Sequence, residues 1–139
     1  MFVGEMRRRV WATVVQLDLR ISGQMGMPHI IKSQNCDTAE PRNLLDSGFD
    51  ESTVKLPPSR PETEATPVLY GLANNRVGCI GGLISDLTAD ICPYPYSEVI
   101  RLDQKLQDAQ ASLPTILRWQ PLSQSVTVPP QIVMRRVWL

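Results

Sequence analysis

The sequence predicts an all-α chain, an irregular helical bundle fragment tied by one long proline-rich connection. Three observations carry that expectation. Apolar residues recur at helical steps of three and four in several separate segments. Proline, glycine and threonine stand where helices should start and stop. The chain has 139 residues, 42% of them hydrophobic, which suits one domain with a core and excludes wholesale disorder.

The first helix is expected at about residues 5–25. Val10, Val14, Leu17 and Ile21 form an apolar stripe that Trp11 and Val15 widen. Glu5 suits the positive end of the helix dipole, and Gly26 followed by Pro28 is a stop signal. Arg7, Trp11 and Asp18 share one side of this helix as a polar seam. Residues 28–65 then lack sustained periodicity. An irregular stretch this long is either a linker or a wrapped connection. Ile30, Ile31, Leu44, Leu45, Phe49, Val54 and Leu56 are too many apolar residues for a solvated linker, so wrapping is favoured. Leu56-Pro57-Pro58-Ser59-Arg60-Pro61 favours polyproline II, because proline fixes φ and restricts the residue before it.

A second helix is expected at about 66–92, with Thr66 as cap and Pro67 at the first helical position. Its seam is Ala73, Val77, Ile80, Ile84, Leu87 and Ile91, which calls for a partner helix. Gly78, Gly81 and Gly82 interrupt it at a cost of about 1 kcal/mol each relative to alanine. A close helix approach or a kink would account for them. A third helix at about 95–112 (Val99, Leu102, Leu106, Ala109, Leu113) should pair with the second as an αα-hairpin. Pro114 ends it. Residues 115–128 read as irregular, with Trp119 and Pro121 packing onto the bundle. Pro129-Pro130 opens a last helix, 129–139. Its final turn, Val137-Trp138-Leu139, reads as a helix cut part-way through, and no clean cap precedes Glu5. The chain therefore reads as a fragment whose faces for absent helices are exposed.

Acidic and basic residues balance at 14 each, so the chain as a whole lacks the basic footprint of a nucleic-acid binder. Residues 36–64 hold seven acids against three bases and would repel phosphate. The three cysteines, Cys36, Cys79 and Cys92, read as reduced thiols. No apolar run is long enough to span a membrane.

The Arg-Arg-Arg-Val-Trp run from Arg7 to Trp11, then Gln16-Leu-Asp18, Ser22 and Gly26-Met-Pro28, resembles the middle homology region of fungal zinc-cluster transcription factors. So do Cys36-Asp37-Thr38 with Pro41-Arg42-Asn43-Leu44, Asp46 with Phe49-Asp50-Glu51, and Leu56 through Pro61. Glu64-Ala-Thr66 leading to Tyr70, and Ser112-Leu113-Pro114 through Trp119-Gln-Pro121, extend the likeness over nearly the whole chain. Ser47-Gly48 departs from the family's acidic approach to the phenylalanine. The family's six-cysteine module, which binds two zinc ions and reads DNA, has no counterpart among three scattered cysteines, nor does its coiled-coil segment. The resemblance implies residues 1–139 are part of a nuclear regulatory domain without the DNA-binding module. It implies no cofactor in this chain, zinc belonging to the missing module. It also implies partners: the rest of the same transcription factor or a second copy, and a small-molecule effector. No direct nucleic-acid contact and no membrane contact are expected.

No residue is assigned as catalytic, metal-ligating or cofactor-binding, and the binding residues are unknown at this level. Arg7-Arg8-Arg9 fan out by about 100° each and cannot form one phosphate patch. They read as salt-bridging surface. His29, the one histidine, reads as an ordinary loop residue without a nucleophile elbow or a ligand partner at zinc spacing. Cys79 reads as a buried structural thiol in mid-helix. Asp86 and Asp90 share a helix face and read as solvated acids, with Glu62 and Glu64 as further carboxylates. The Pro57–Pro61 run reads as a stiff strap rather than a ligand for an aromatic groove. The functional reading is a regulatory segment acting through helix packing, dimer contacts or effector response. The alternatives are a stand-alone helical protein–protein interaction module and, more distantly, a small thiol enzyme using Cys79 or Cys36.

Overall fold

A computed structural model describes residues 1–32, 35–125 and 127–137. Among them are five α-helices and no strand: α1 (Phe2–Met25), α2 (Pro67–Ala89), α3 (Tyr96–Ala111), α4 (Leu122–Ser125) and α5 (Pro130–Val137). Helix α1 packs on α2, α2 on α3, and α5 on a 3₁₀ turn at Thr115–Leu117. The all-α expectation holds. The first helix starts three residues earlier than expected, and the second stops at Ala89, leaving Ile91 99% exposed outside the seam. Trp138 and Leu139 of the expected final turn lie outside the described residues.

The end signals act as expected. Gly26 takes the left-handed conformation (φ 63°), and the Met27 N–H bonds to the Ser22 carbonyl at 2.9 Å, closing α1. Thr66 caps α2, its Oγ1 accepting from the Leu69 N–H at 3.2 Å. The same hydroxyl donates to Asn43 Oδ1. The start of α2 is therefore tied to the connection.

That connection wraps. Asn43 is 1% exposed and anchors the proline run. Its N–H donates to Ser59 Oγ (3.0 Å), and its Nδ2 reaches the carbonyls of Arg60 and Pro61. The Arg60 N–H returns to the Asn43 carbonyl at 2.9 Å. Arg42 Nη1 donates to the Pro57 carbonyl at 2.9 Å. The polyproline stretch is thus a bound strap. Leu44, Phe49 and Leu56 form a small core against Phe2, while Ile30 and Val54 point to solvent. A second core joins Leu69, Ala73, Leu113 and Leu117.

Two faces turn out opposite to their expectation. The apolar stripe of α1 is outward: Val10 is 60% exposed, Leu17 52% and Ile21 57%. The inward side carries polar anchors. Glu5, 1% exposed, accepts the Arg42 N–H at 2.8 Å, so it holds the strap rather than merely complementing a dipole. Arg9 bonds Asp46 (2.6 Å) and stacks over Phe49 at 4.9 Å. Gln16 donates to the Gly71 carbonyl at 2.8 Å, and Asp18 accepts the Ile30 and Ile31 N–H groups. Glu5, Gln16 and Asp18 each bond backbone groups of other segments, so polar anchors help to orient this helix. Trp119 is 74% exposed and does not pack on the bundle. The nearby arginine takes the anchoring role instead: Arg118 Nε donates to the Leu113 carbonyl at 2.8 Å.

Candidate functional site

The first part of the wrapped connection leaves a half-open cavity of about 290 Å³ between itself, α1 and α2. Trp11, Val15 and Leu19, spaced at four, place one ridge of α1 along it. Asn75, Cys79 and Asp86 come from α2, and His29, Ile31 and Cys36 from the connection that follows α1. The close approach expected of the α2 glycines is real at Gly82. A Cβ there would stand 2.8 Å from Leu19 Cδ2 and 3.2 Å from His29 Cε1. Gly81 faces open space, and the helix runs through all three glycines without a break.

His29 is not an ordinary exposed loop residue. Its side chain is 10% exposed, and Nδ1 lies 3.2 Å from Asp86 Oδ1 without hydrogen-bond alignment. Asp86 is not a solvated acid either, because Lys32 Nζ donates to the same oxygen at 2.6 Å. On the same helix, Arg76 forks onto Glu62 through both terminal nitrogens. That hydrogen bonding holds the Glu62 carboxyl below its ordinary range and raises the guanidinium. Asp90 instead turns its carboxylate onto the Cys92 N–H at 3.0 Å. The three arginines at the start of α1 diverge as expected: Arg9 points inward, Arg8 sits 3.9 Å from Glu5, and Arg7 is exposed.

Cys79 is exposed at the cavity rather than buried, so that expectation is corrected: the thiol lies on the α2 face that the strap only partly covers. Partial burial, with a smaller contribution from the Glu40 carboxylate, pushes its pKa up. A raised pKa is the opposite of what an activated thiol needs. Among the described residues no group of three or more His, Cys, Asp or Glu is placed to hold a metal ion. No helix among them is long and apolar enough to cross a membrane.

Lys32, Asn75 and Leu19 escaped the sequence reading. Asn74-Asn75 inside an apolar helical seam was the one signal for a polar function there. Nothing local marked Lys32, whose role depends on Asp86 fifty-four residues away.

The geometry defines a helical module that holds a long connection against α1 and α2 beside a half-open cavity. Comparison with known proteins places it more closely. The chain is 51% identical, over 99% of its length, to the Pyrrolocin cluster transcription factor fsdR of a fungal species (strain NRRL 50135), covering 18% of that protein. It is 48% identical over 99% to the Equisetin cluster transcription factor eqxF of Fusarium heterosporum, covering 20%. It is 48% identical over 99% to the Zn(2)-C6 fungal-type transcription factor mpsB of Macrophomina phaseolina, covering 19%. By sequence the chain is similar to a segment of proteins named as fungal transcription factors, and it spans about a fifth of the length of the curated relatives it matches. No family model matches it, and neither does any solved structure.

Proposed function

We propose that this chain is part of the regulatory region of a fungal zinc-cluster transcription factor, working in the nucleus and without catalysis. Relatives named as transcription factors support the reading over a stand-alone interaction module or a thiol enzyme. Zinc, in this reading, belongs to a cysteine-rich module elsewhere in the protein, and DNA is not contacted by this segment. The observation that carries a packing role is the outward apolar stripe Val10, Val14, Leu17 and Ile21 on a helix whose inner side is already locked by polar anchors. An exposed contiguous stripe of this kind marks an interaction surface. Its partner is the remainder of the same protein, and the packing biases the activator between restrained and active states.

A tethering assay tests this. The chain is fused between a heterologous DNA-binding domain and an activation domain, and reporter output in a fungal host is compared with the same activator lacking the chain. Output should change several-fold. Joint replacement of Val10, Val14, Leu17 and Ile21 by glutamine should reverse the change without unfolding the helix, because glutamine's helix propensity is close to leucine's and better than valine's or isoleucine's. Identical output with and without the chain would remove the regulatory reading.

A further inference from the structure

We infer that the outward face of α1 seats a second α-helix, amphipathic and flanked by carboxylates, supplied by the remainder of the same protein. The inference rests on the regulatory reading for the source of that helix and adds its chemistry. Its binding test is independent of any transcriptional output.

The spacing calls for a helix. Val3, Val10 and Leu17 stand seven residues apart, as do Val14 and Ile21, and the two rows interleave at steps of three and four. That is the repeat of a coiled-coil seam, which a helix running along α1 fills knob into hole. All five side chains are exposed, and Met25 carries the stripe to the end of the helix. From Val3 to Ile21 the seam runs for about 27 Å at 1.5 Å per residue. Beside its first turns lies an open groove of about 480 Å³, walled by Phe2, Val3, Met6, Val10 and Trp11.

The charges specify the partner. The seam position between Val3 and Val10 is Arg7, which is exposed and is the one charged residue lining that groove. Arg20, thirteen residues on, stands on the opposite flank of the stripe and is exposed too. Among the described residues neither guanidinium has an ion-pair partner, whereas Arg8 and Arg9 both face Glu5. The two carboxylates of α1 are turned away from this face: Glu5 is buried, and Asp18 accepts the Ile30 and Ile31 N–H groups. Covering an unpaired arginine is costly unless a carboxylate comes with the cover. The occupant therefore brings acids of its own, opposite Arg7 and along the flank at Arg20.

A second copy does not meet this need. Parallel copies of α1 set Arg7 against Arg7, antiparallel ones bring no carboxylate to it, and either pairing gathers four arginines. An anionic lipid surface would neutralise the arginines, but the aromatic residues that α1 would sink into it are engaged within the chain. Phe2 packs on Phe49, and half-buried Trp11 lines the cavity toward α2.

Fluorescence anisotropy titration of the full 139-residue chain into two labelled four-heptad peptides tests this. Both carry isoleucine and leucine at the seam. One has glutamate on both flanks and the other lysine, so neither pairs with itself. One saturable site per chain is expected for the glutamate peptide, about tenfold tighter than for the lysine peptide, and the gap should narrow in high salt. Joint Arg7→Glu and Arg20→Glu should reverse the preference, and joint Val10→Gln and Leu17→Gln should weaken both peptides. Circular dichroism confirms that each variant remains folded, and the comparison of the two peptides on the unaltered chain needs no variant. In the intact protein, a photoreactive residue at Val14 should join α1 to an acid-flanked helix of the same polypeptide, and adducts with another protein alone overturn the source. The inference falls if neither peptide saturates, if both bind equally, or if the folded charge-reversed chain keeps the original preference. It falls as well if the chain alone forms a dimer that Val10→Gln and Leu17→Gln abolish, or if phosphatidylserine vesicles displace the glutamate peptide. Absent or charge-blind binding with an intact reporter response removes the acidic helix and leaves the regulatory reading. Charge-selective binding with a silent reporter does the reverse.

Discussion

Glu5→Ala should be among the most damaging single substitutions in this chain. The carboxylate is 1% exposed, accepts the Arg42 N–H at 2.8 Å and lies 3.6 Å from Arg9 Nε. Removing it strands a buried backbone donor and a guanidinium whose side chain is only 16% exposed. Breaking a buried charge pair from one side costs about 3–5 kcal/mol. Arg9 retains Asp46 and the Leu44 carbonyl as partners. The loss should therefore fall near the lower bound, at about 3 kcal/mol. Glu5→Gln keeps an acceptor for the Arg42 N–H and loses only the charge. Because a charge-assisted bond is about twice as strong as a neutral one, the expected cost is about half that of alanine. Urea unfolding followed by circular dichroism measures both, and the Glu5→Ala, Arg9→Met cycle should show a coupling of about 1 kcal/mol. The latch assignment is refuted if alanine lies within about 0.5 kcal/mol of the parent, the range of ordinary surface substitutions. Glutamine proving as harmful as alanine would refute the charged part of it.

Three further outcomes follow from the same geometry. Gly81→Ala should stabilise the chain by about 1 kcal/mol through helix propensity, since its Cβ meets nothing within 4 Å. Gly82→Ala should destabilise it, because its Cβ would stand 2.8 Å from Leu19 Cδ2, and equal thermal shifts for the two variants would contradict the close approach. Arg76 lowers the Glu62 pKa in the folded chain. The pair's contribution is therefore complete above the unfolded carboxylate value and fades as pH falls through the depressed folded one. Glu62→Gln should flatten that part of the acid limb by well under 1 kcal/mol, given solvent screening, and an unchanged limb would count against the pair. Cys79, its thiol pKa raised, should react with iodoacetamide near neutral pH more slowly in the folded chain than in urea, and a faster folded rate would overturn that description.

Much of the architecture was legible because it depends on local chemistry. Thr66-Pro67 and Gly26-Met-Pro28 mark helix ends through groups within a few residues of one another, and both act as read. The wrapped strap was legible too, since its apolar residues were too many to leave in water. The burial of the α1 face was not. Its hydropathy pattern reports the helical period, but which face turns inward is set by partners far along the chain. Arg42, Gly71 and the Ile30–Ile31 backbone are the groups that claim Glu5, Gln16 and Asp18. Trp119 failed for a related reason: its size argues for burial only where a complementary surface exists, and here it remains exposed.

The sequence by itself determined that this chain is helical, where most of its helices stop and start, that its proline run is a strap, and which family it resembles. Each of these follows from residue types acting over a turn or two, or from short motifs in a fixed order. Only the tertiary structure decided that Glu5 is a latch, that His29 and Asp86 meet, and that Asn75 borders a cavity. Those facts depend on the separation of groups thirty to sixty residues apart in the chain. Hydrogen bonds and ion pairs act over a few ångströms, so only packing, and not spacing in sequence, can bring such groups within reach.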